Sequence, residues 1–341
     1  MVVRIAAVQA LSYYGDQEYR NVDLAVRYID EAAKGGADLI ILPEGYPGPN
    51  NGPLDSGGRL TQRPIDVMRE KARDHKIFLS CGELEANPDM RDTFYLTQKL
   101  VSPGGEILSR YARVQPDHMY LNAYLMGGRK HILPGDNRKG LDPLKDVRGV
   151  VGTPLGTIGI QICSEIFVPE LSRIQMLMGA QIILAPMNGW PGGGSKYRCK
   201  ETWHCIARAR AAENLVFVVI PDIIYERPEL SYGPNDQEGF GIVASPEKVL
   251  AQRTDPGPMC VELDLDRLKW LRNRYFDDDN LAPPEHPDFV PIGCRPGENH
   301  DRRPEFYRPL IEPQPDAFNY FYFRNGLNEF VREFEKVKKA T

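Results

Sequence analysis

Three mostly apolar segments each run into a residue able to do chemistry. Ala37-Asp38-Leu39-Ile40-Ile41-Leu42-Pro43 ends at Glu44, Gly159-Ile160-Gln161-Ile162 at Cys163, and Ile107-Leu108-Ser109-Arg110-Tyr111-Ala112 at Arg113. A thiolate attacks a carbonyl or nitrile carbon, a carboxylate within reach takes the thiol proton, and a fixed cation steadies charge developing on oxygen or nitrogen. Sites in open α/β sheets form beyond the carboxyl ends of strands. An acid, a thiol and a cation delivered there are the parts of a thiol acyl-transfer site. Each residue alone has a plainer reading: a buried structural cysteine, a solvated glutamate, a surface arginine. The apolar runs before Glu44 and Cys163 weigh against that reading, because both side chains then emerge from the core.

The elements that would position these residues follow from hydrophobic period and turn chemistry. Strands are predicted over Val2–Gln9, Ala37–Pro43, Ile77–Leu84, Thr93–Val101, Ile107–Val114, Gly156–Cys163, Ala180–Ala185, Leu215–Pro221, Gly239–Ala244 and Met259–Leu263. Helices are predicted over Glu18–Lys34, Pro64–Asp74, Val168–Met178 and Lys200–Asn214. Ser102-Pro103-Gly104-Gly105 reads as a hairpin turn. Strand–helix–strand units at both ends, with hairpins between, suit one layered α/β domain of mixed sheets covered by helices. That domain is expected over residues 1–276. Residues 277–341 form a proline-rich extension whose aromatics (Phe306, Tyr307, Phe318 and Tyr320 to Phe323) suggest docking on the core or on a second subunit.

Leu42-Pro43-Glu44, Ile162-Cys163-Ser164-Glu165 followed by Pro169-Glu170, and the stretch from Arg208 to Val219 resemble the nitrilase superfamily. Gly105-Glu106-Ile107-Leu108-Ser109-Arg110-Tyr111 resembles the hairpin that leads to that family's catalytic lysine. These matches run in the family's order from about Val3 to Arg272. The resemblance implies an αββα four-layer sandwich, a homodimer or larger assembly, no metal or other cofactor, and a Glu–Lys–Cys triad acting on nonpeptide C–N bonds. Glu44 matches the base and Cys163 the nucleophile. Where the family has its lysine this chain has Arg113, with Lys130 in Gly128-Arg129-Lys130-His131 as the alternative cation. The second glutamate that many members carry is missing between Arg113 and Gly149, where the acids are Asp117, Asp136, Asp142 and Asp146.

The implied chemistry starts with Glu44, whose dry strand end favours the protonated form and so makes it a stronger base. The backbone N–H of Ser164 and the Arg113 cation are the expected oxyanion donors. Asn188, Gly189, Trp190 and Tyr46 are expected to line the substrate pocket; His118 and Tyr120 are weaker candidates. Arginine is permanently charged, planar and bulkier than lysine, so it holds an anion but does not readily shuttle a proton. Three readings therefore stand open. The chain hydrolyses a small amide, N-carbamoyl compound or nitrile; or it performs acyl transfer, cyclisation or a lyase-like step; or it is a silent scaffold. Glu165 leans toward nitrilases, Pro169-Glu170 toward amidases and carbamoyl-amidases.

Bulk properties narrow the partners. With 42 Lys+Arg against 47 Asp+Glu the net charge is −5, which argues against nucleic acid or an anionic membrane, since both call for a basic surface. No run approaches the roughly 18 apolar residues of a membrane span. The opening residues read as a strand rather than a signal peptide. Six cysteines without a CxxC pair suit a cytoplasmic protein with reduced thiols. Gly192-Gly193-Gly194-Ser195-Lys196 lacks the residue order of a phosphate loop. The expected ligand is a small-molecule substrate.

Overall fold

A computed structural model describes residues 1–49, 56–88, 93–114, 131–132, 149–188, 200–226, 239–273 and 302–310. Among these, β1 (Val2–Ser12), β2 (Leu39–Ile41), β3 (Phe78–Ala86), β4 (Thr93–Val101), β5 (Ile107–Ala112) and β6 (His131–Ile132) belong to a first sheet. A second sheet takes β7 (Val150–Thr153), β8 (Gly156–Ile160), β9 (Ile182–Leu184) and β10 (Phe217–Ile220). β11 (Ile223–Tyr225) returns to the first sheet, β12 (Gly241–Ala244) and β13 (Val249–Arg253) extend the second, and β14 (Gly257–Asp264) runs antiparallel to β1. The helices are α1 (Asn21–Lys34), α2 (Pro64–His75), α3 (Pro169–Leu177), α4 (Lys200–Asn214) and α5 (Leu265–Asn273).

Both sheets are mixed. β1, β2 and β3 pair in parallel, as do β8, β9 and β10, whereas β3, β4 and β5 pair antiparallel through their hairpins. The continuous apolar runs follow from burial on both faces. In β1 and β2, Ile5, Ala7, Leu39 and Ile41 face the second sheet, where they meet Ile158, Ile160, Ile182 and Val218. Their neighbours Ala6, Val8, Ile40 and Leu42 face the other way, onto α1 and α2. α1 offers Val22, Ala25, Ile29 and Ala32 at helical spacing, and α2 offers Ile65, Met68 and Ala72. α4 covers β10 and β12 on the far side and α3 packs against α4. The order helices, sheet, sheet, helices is the expected four-layer αββα sandwich.

Differences from expectation sit at strand ends and in the second half. β2 is shorter than 37–43, and β8 stops at Ile160, three residues before Cys163. The backbone past each stop stays paired: Leu42 N–H donates to the Ser80 carbonyl, Gln161 N–H to Leu184 and Arg113 N–H to Leu96. β6, β7, β11, β13 and α5 have no counterpart among the predicted elements. α5 did carry a signal: Asp264 Oδ1 caps the N–H groups of Asp266 and Arg267, and Leu265, Leu268 and Leu271 are buried at helical spacing. Of the C-terminal extension only 302–310 is described, as two short turns with Phe306 67% exposed, so it gives no support for docking through that ring. The boundary at 276/277 and the aromatics Phe318 and Tyr320 to Phe323 lie outside the described residues.

One close approach ties this framework to the loop after β2. Gly82 in β3 donates its N–H to the Tyr46 carbonyl, and a Cβ there would lie 2.5 Å from the Gly45 nitrogen and 2.9 Å from its Cα. Gly82→Ala is expected to destabilise the fold by about 1–3 kcal/mol, the usual cost of overpacking. Urea denaturation checks it, and an unchanged midpoint would mean the loop moves aside without cost.

Candidate active site

The loop after β2, the exit of β9 and the turn after β8 meet at one end of the two sheets. Glu44 N–H donates to the Met187 carbonyl at 3.4 Å and Cys163 N–H to the Pro186 carbonyl at 2.9 Å. The backbones of the acid and the thiol residue are thus fixed to consecutive residues leaving β9. Gln98, fully buried in β4, supports the Glu44 loop from behind, its Nε2 donating to the Leu42 carbonyl at 3.3 Å and to Ser80 Oγ at 2.9 Å.

Cys163 sits at φ +56°, a left-handed conformation in a residue with a Cβ. Such a conformation costs on the order of 1–3 kcal/mol and persists where the surroundings enforce it. Here they do so from several sides. Cys163 opens a 3-10 turn, Cys163–Phe167, whose Glu165 carboxylate reaches back to the Ile162 N–H at 2.7 Å. The far end of the turn is held by Arg210 of α4, through Nε to the Ile166 carbonyl at 2.9 Å and Nη2 to Phe167 at 3.1 Å. The resemblance seen between Arg208 and Val219 therefore has a local physical role: Arg210 secures the turn on which Cys163 stands.

Arg113 connects the acid to the turn. Its Nη1 donates to Glu44 Oε1 at 3.0 Å, and its Nη2 donates to Ser164 Oγ at 2.5 Å. Both members of the ion pair are 4% exposed, so the pair is largely removed from water. Arg113 and Glu44 are therefore in direct contact. Lys130, the alternative cation, lies outside the described residues, as do Gly189, Trp190, His118, Tyr120 and the stretch 192–196. Among the described residues no group of His, Cys, Asp and Glu could hold a metal ion.

The pocket expectations divide. Asn188 is half-buried at the β9 exit, with its Oδ1 accepting from the Tyr225 hydroxyl at 2.7 Å. Burial, with the charges of Glu18 and Glu44 nearby, pushes the Tyr225 phenol well above its ordinary range, so it remains a donor. Tyr225 was missed because β11 lies just past Pro221-Asp222, where the sequence suggests that the strand has ended. Tyr46, expected on the pocket wall, is instead fully buried among the residues facing α1 and α2, and its hydroxyl donates to the Leu11 carbonyl. Its side chain serves the packing beneath the Glu44 loop. Ser164, expected to act through its backbone N–H, contributes its hydroxyl as the second partner of Arg113.

A buried ion pair makes a specific stability prediction. Removing one partner leaves a charge without compensation and costs about 3–5 kcal/mol, whereas removing both together costs less. Arg113→Met should therefore lower the urea midpoint strongly, and adding Glu44→Gln should restore part of the loss. Equal midpoints for the single and double variants would mean that Glu44 is neutral in the folded protein.

With this geometry in view, comparison with known proteins is informative. Residues 4–226 match the family model for carbon-nitrogen hydrolases. Nitrilase homolog 2 of Dictyostelium discoideum is 28% identical over 223 residues, covering 64% of this chain and 62% of that protein. The match thus spans less than two-thirds of that relative's length. N-carbamoylputrescine amidase of Oryza sativa subsp. japonica is 27% identical over 325 residues, 91% of this chain and 94% of that one. A solved amidase of Nesterenkonia sp. AN1, a glutamate-to-glutamine variant with the acetamide moiety of fluoroacetamide added covalently at its active-site cysteine, superposes with a TM-score of 0.60 at 20% identity. It covers 90% of this chain and 96% of its own. The chain belongs to the carbon–nitrogen hydrolase family, within the nitrilase superfamily.

Proposed function

We propose that this chain is a thiol-dependent hydrolase of a nonpeptide C–N bond in a small amide, N-carbamoyl compound or nitrile. Cys163 is its nucleophile, Glu44 its general base and Arg113 the cation of the site. The carrying observation is the Arg113 guanidinium, which hydrogen-bonds Glu44 on one side and Ser164, the neighbour of Cys163, on the other. Near full-length similarity to an N-carbamoylputrescine amidase supports the carbamoyl class. The covalent adduct in the Nesterenkonia amidase supports a cysteine nucleophile.

For an amide or N-carbamoyl substrate the steps follow from these roles. Glu44 takes the thiol proton as the Cys163 sulfur attacks the carbonyl carbon. The oxyanion of the tetrahedral intermediate is met by the Ser164 N–H and by the positive field of Arg113. Glu44 returns the proton to the departing nitrogen, ammonia or an amine leaves, and a thioester remains, or a thiocarbamate where the substrate is a carbamoyl compound. Glu44 then takes a proton from water, the hydroxide adds, and thiol and acid are released. Asn188, whose Oδ1 is held by Tyr225, is assigned the role of orienting the substrate. A homo-oligomer whose extension beyond residue 276 packs on the core or a partner is part of the same proposal.

Arg113 also favours a second reading. A guanidinium does not relay protons, so a site that keeps the thiol and the base but replaces lysine suits transfer of the acyl group to an acceptor other than water. Released nitrogen measured against product mass separates the two: hydrolysis yields one free acid per ammonia or amine from an amide, and amine, ammonia and carbon dioxide from a carbamoyl compound, whereas transfer yields a conjugate instead.

Turnover and alkylation test the roles. Cys163→Ala is expected to abolish activity on amides, carbamoyl amines and nitriles, and a variant retaining about a tenth of wild-type turnover would end the thiol mechanism. Glu44→Gln should lower turnover by about 10²-fold or more, with slower iodoacetamide labelling of Cys163. Cys81 is the internal control: burial pushes its thiol up to about 12, so it should stay unlabelled near neutral pH in every variant.

Arg113→Ala should raise the barrier by about 3–4 kcal/mol, the scale of losing one oxyanion donor. Arg113→Lys should still turn over small amides while losing activity on the native substrate. An Arg113→Ala enzyme with kcat/KM unchanged would remove the cation from the mechanism.

A further inference from the structure

Glu165 is fully buried two residues past Cys163 and has no part in the chemistry above. Its Oε2 accepts from the Ile162 N–H at 2.7 Å and from the Tyr111 hydroxyl at 3.0 Å, while its Oε1 accepts from the Val114 N–H at 2.7 Å. A glutamate reaching back to the N–H before its own turn is an ordinary cap. Bonds to Tyr111 and Val114 are not, because those residues belong to the exit of β5 in the other sheet. Ile162 directly precedes the nucleophile, and Tyr111 and Val114 flank Arg113. One carboxylate therefore joins the backbone beside Cys163 to the backbone beside Arg113, across the two layers.

Resting on the roles given above to Glu44, Arg113 and Cys163, we propose that Glu165 is a positioning residue that sets the Arg113 guanidinium against the Cys163 turn. A buried carboxylate is costly unless its lone pairs are filled, so the three donors and the acid hold one another in place. Burial and the adjacent carboxylate push the Tyr111 phenol well above its ordinary range, which keeps it a donor. The arrangement also bears on the arginine itself. Its guanidinium meets two partners at once, so a small separation of the sheets breaks the Glu44 bond or the Ser164 bond.

Glu165→Gln turns one acceptor into an NH2 group facing donors, so it should open this link with little change in volume. Cys163 labelling by iodoacetamide at neutral pH and kcat should both fall about tenfold, with KM within about twofold, since a positioned cation rather than substrate binding is lost. Glu165→Asp keeps the charge but loses the reach, and should fall less than Gln. The decisive measurement is the cycle with Arg113→Ala: in that background Glu165→Gln should change Cys163 labelling by no more than about threefold, because most of its effect passes through Arg113 and only the Ile162 contact acts on the turn directly. If the tenfold effect persists in the Arg113→Ala background, or if labelling and kcat are unchanged by Glu165→Gln, the proposal is overturned. Should Glu165→Gln not fold, the Glu165→Asp variant carries the same cycle with the same two outcomes. Failure of the underlying mechanism is read separately, from turnover by Cys163→Ala and Glu44→Gln, which do not touch Glu165.

Discussion

The buried contact between Arg113 and Glu44 is the constraint around which the rest of this end of the molecule is arranged. A carboxylate and a guanidinium, each 4% exposed, are tolerable only if their geometry is kept. Glu44 enters from β2, and Arg113 from β5 three strands along the same sheet. The third partner, Ser164, comes from the second sheet. Drift of any one of these elements leaves a charge or a hydroxyl poorly satisfied in a dry environment. That explains why so many neighbouring polar groups, among them Gln98, Ser80, Glu165 and Arg210, are spent on backbone and loop positions rather than turned to solvent.

The layered fold makes the arrangement possible. Parallel strands β2 and β9 both finish at the same end, and their exits stay hydrogen-bonded to neighbours after regular pairing stops. Glu44 and Cys163 hang from adjacent carbonyls of Met187 and Pro186, so the spacing of acid and thiol is set by main chain. Side-chain contacts then set orientation. The left-handed φ of Cys163 lifts the residue out of the strand direction, and the Arg210 and Glu165 contacts hold the turn in that shape.

Much of this was legible in the sequence, and for definite reasons. Apolar runs such as Leu39-Ile40-Ile41 and Ile182-Ile183-Leu184 are unambiguous because strands covered on both faces carry no polar interruption. Glu44 stands out because it ends such a run; the segments before Cys163 and Arg113 carry polar residues, Gln161 in one and Ser109 and Arg110 in the other. Tyr46 was misjudged because proximity in sequence to Glu44 does not say which face a loop side chain takes, and here the α1 and α2 side had room for a ring. Tyr225 and the Glu165 contacts were invisible for a related reason: both depend on pairing between elements more than thirty residues apart, which no local period encodes. α5 was different. Its Asp264 cap and its leucine spacing are local signals in the sequence, set beside the proline-rich composition that follows.

A guanidinium rather than an ammonium has a physical meaning at the Arg113 position. An ammonium is a compact charge that serves one centre well, whereas a guanidinium presents parallel N–H groups that bridge two acceptors in one plane. Here those acceptors are Glu44 on the first sheet and Ser164 on the second. Arginine at this position thus links the two layers as well as supplying charge. The same two bonds fix the guanidinium against the turn that carries Cys163. A protein built this way places the demand for precision on its scaffold, and the carboxylate of Glu165, tied to both strand exits, is where that demand is met most directly.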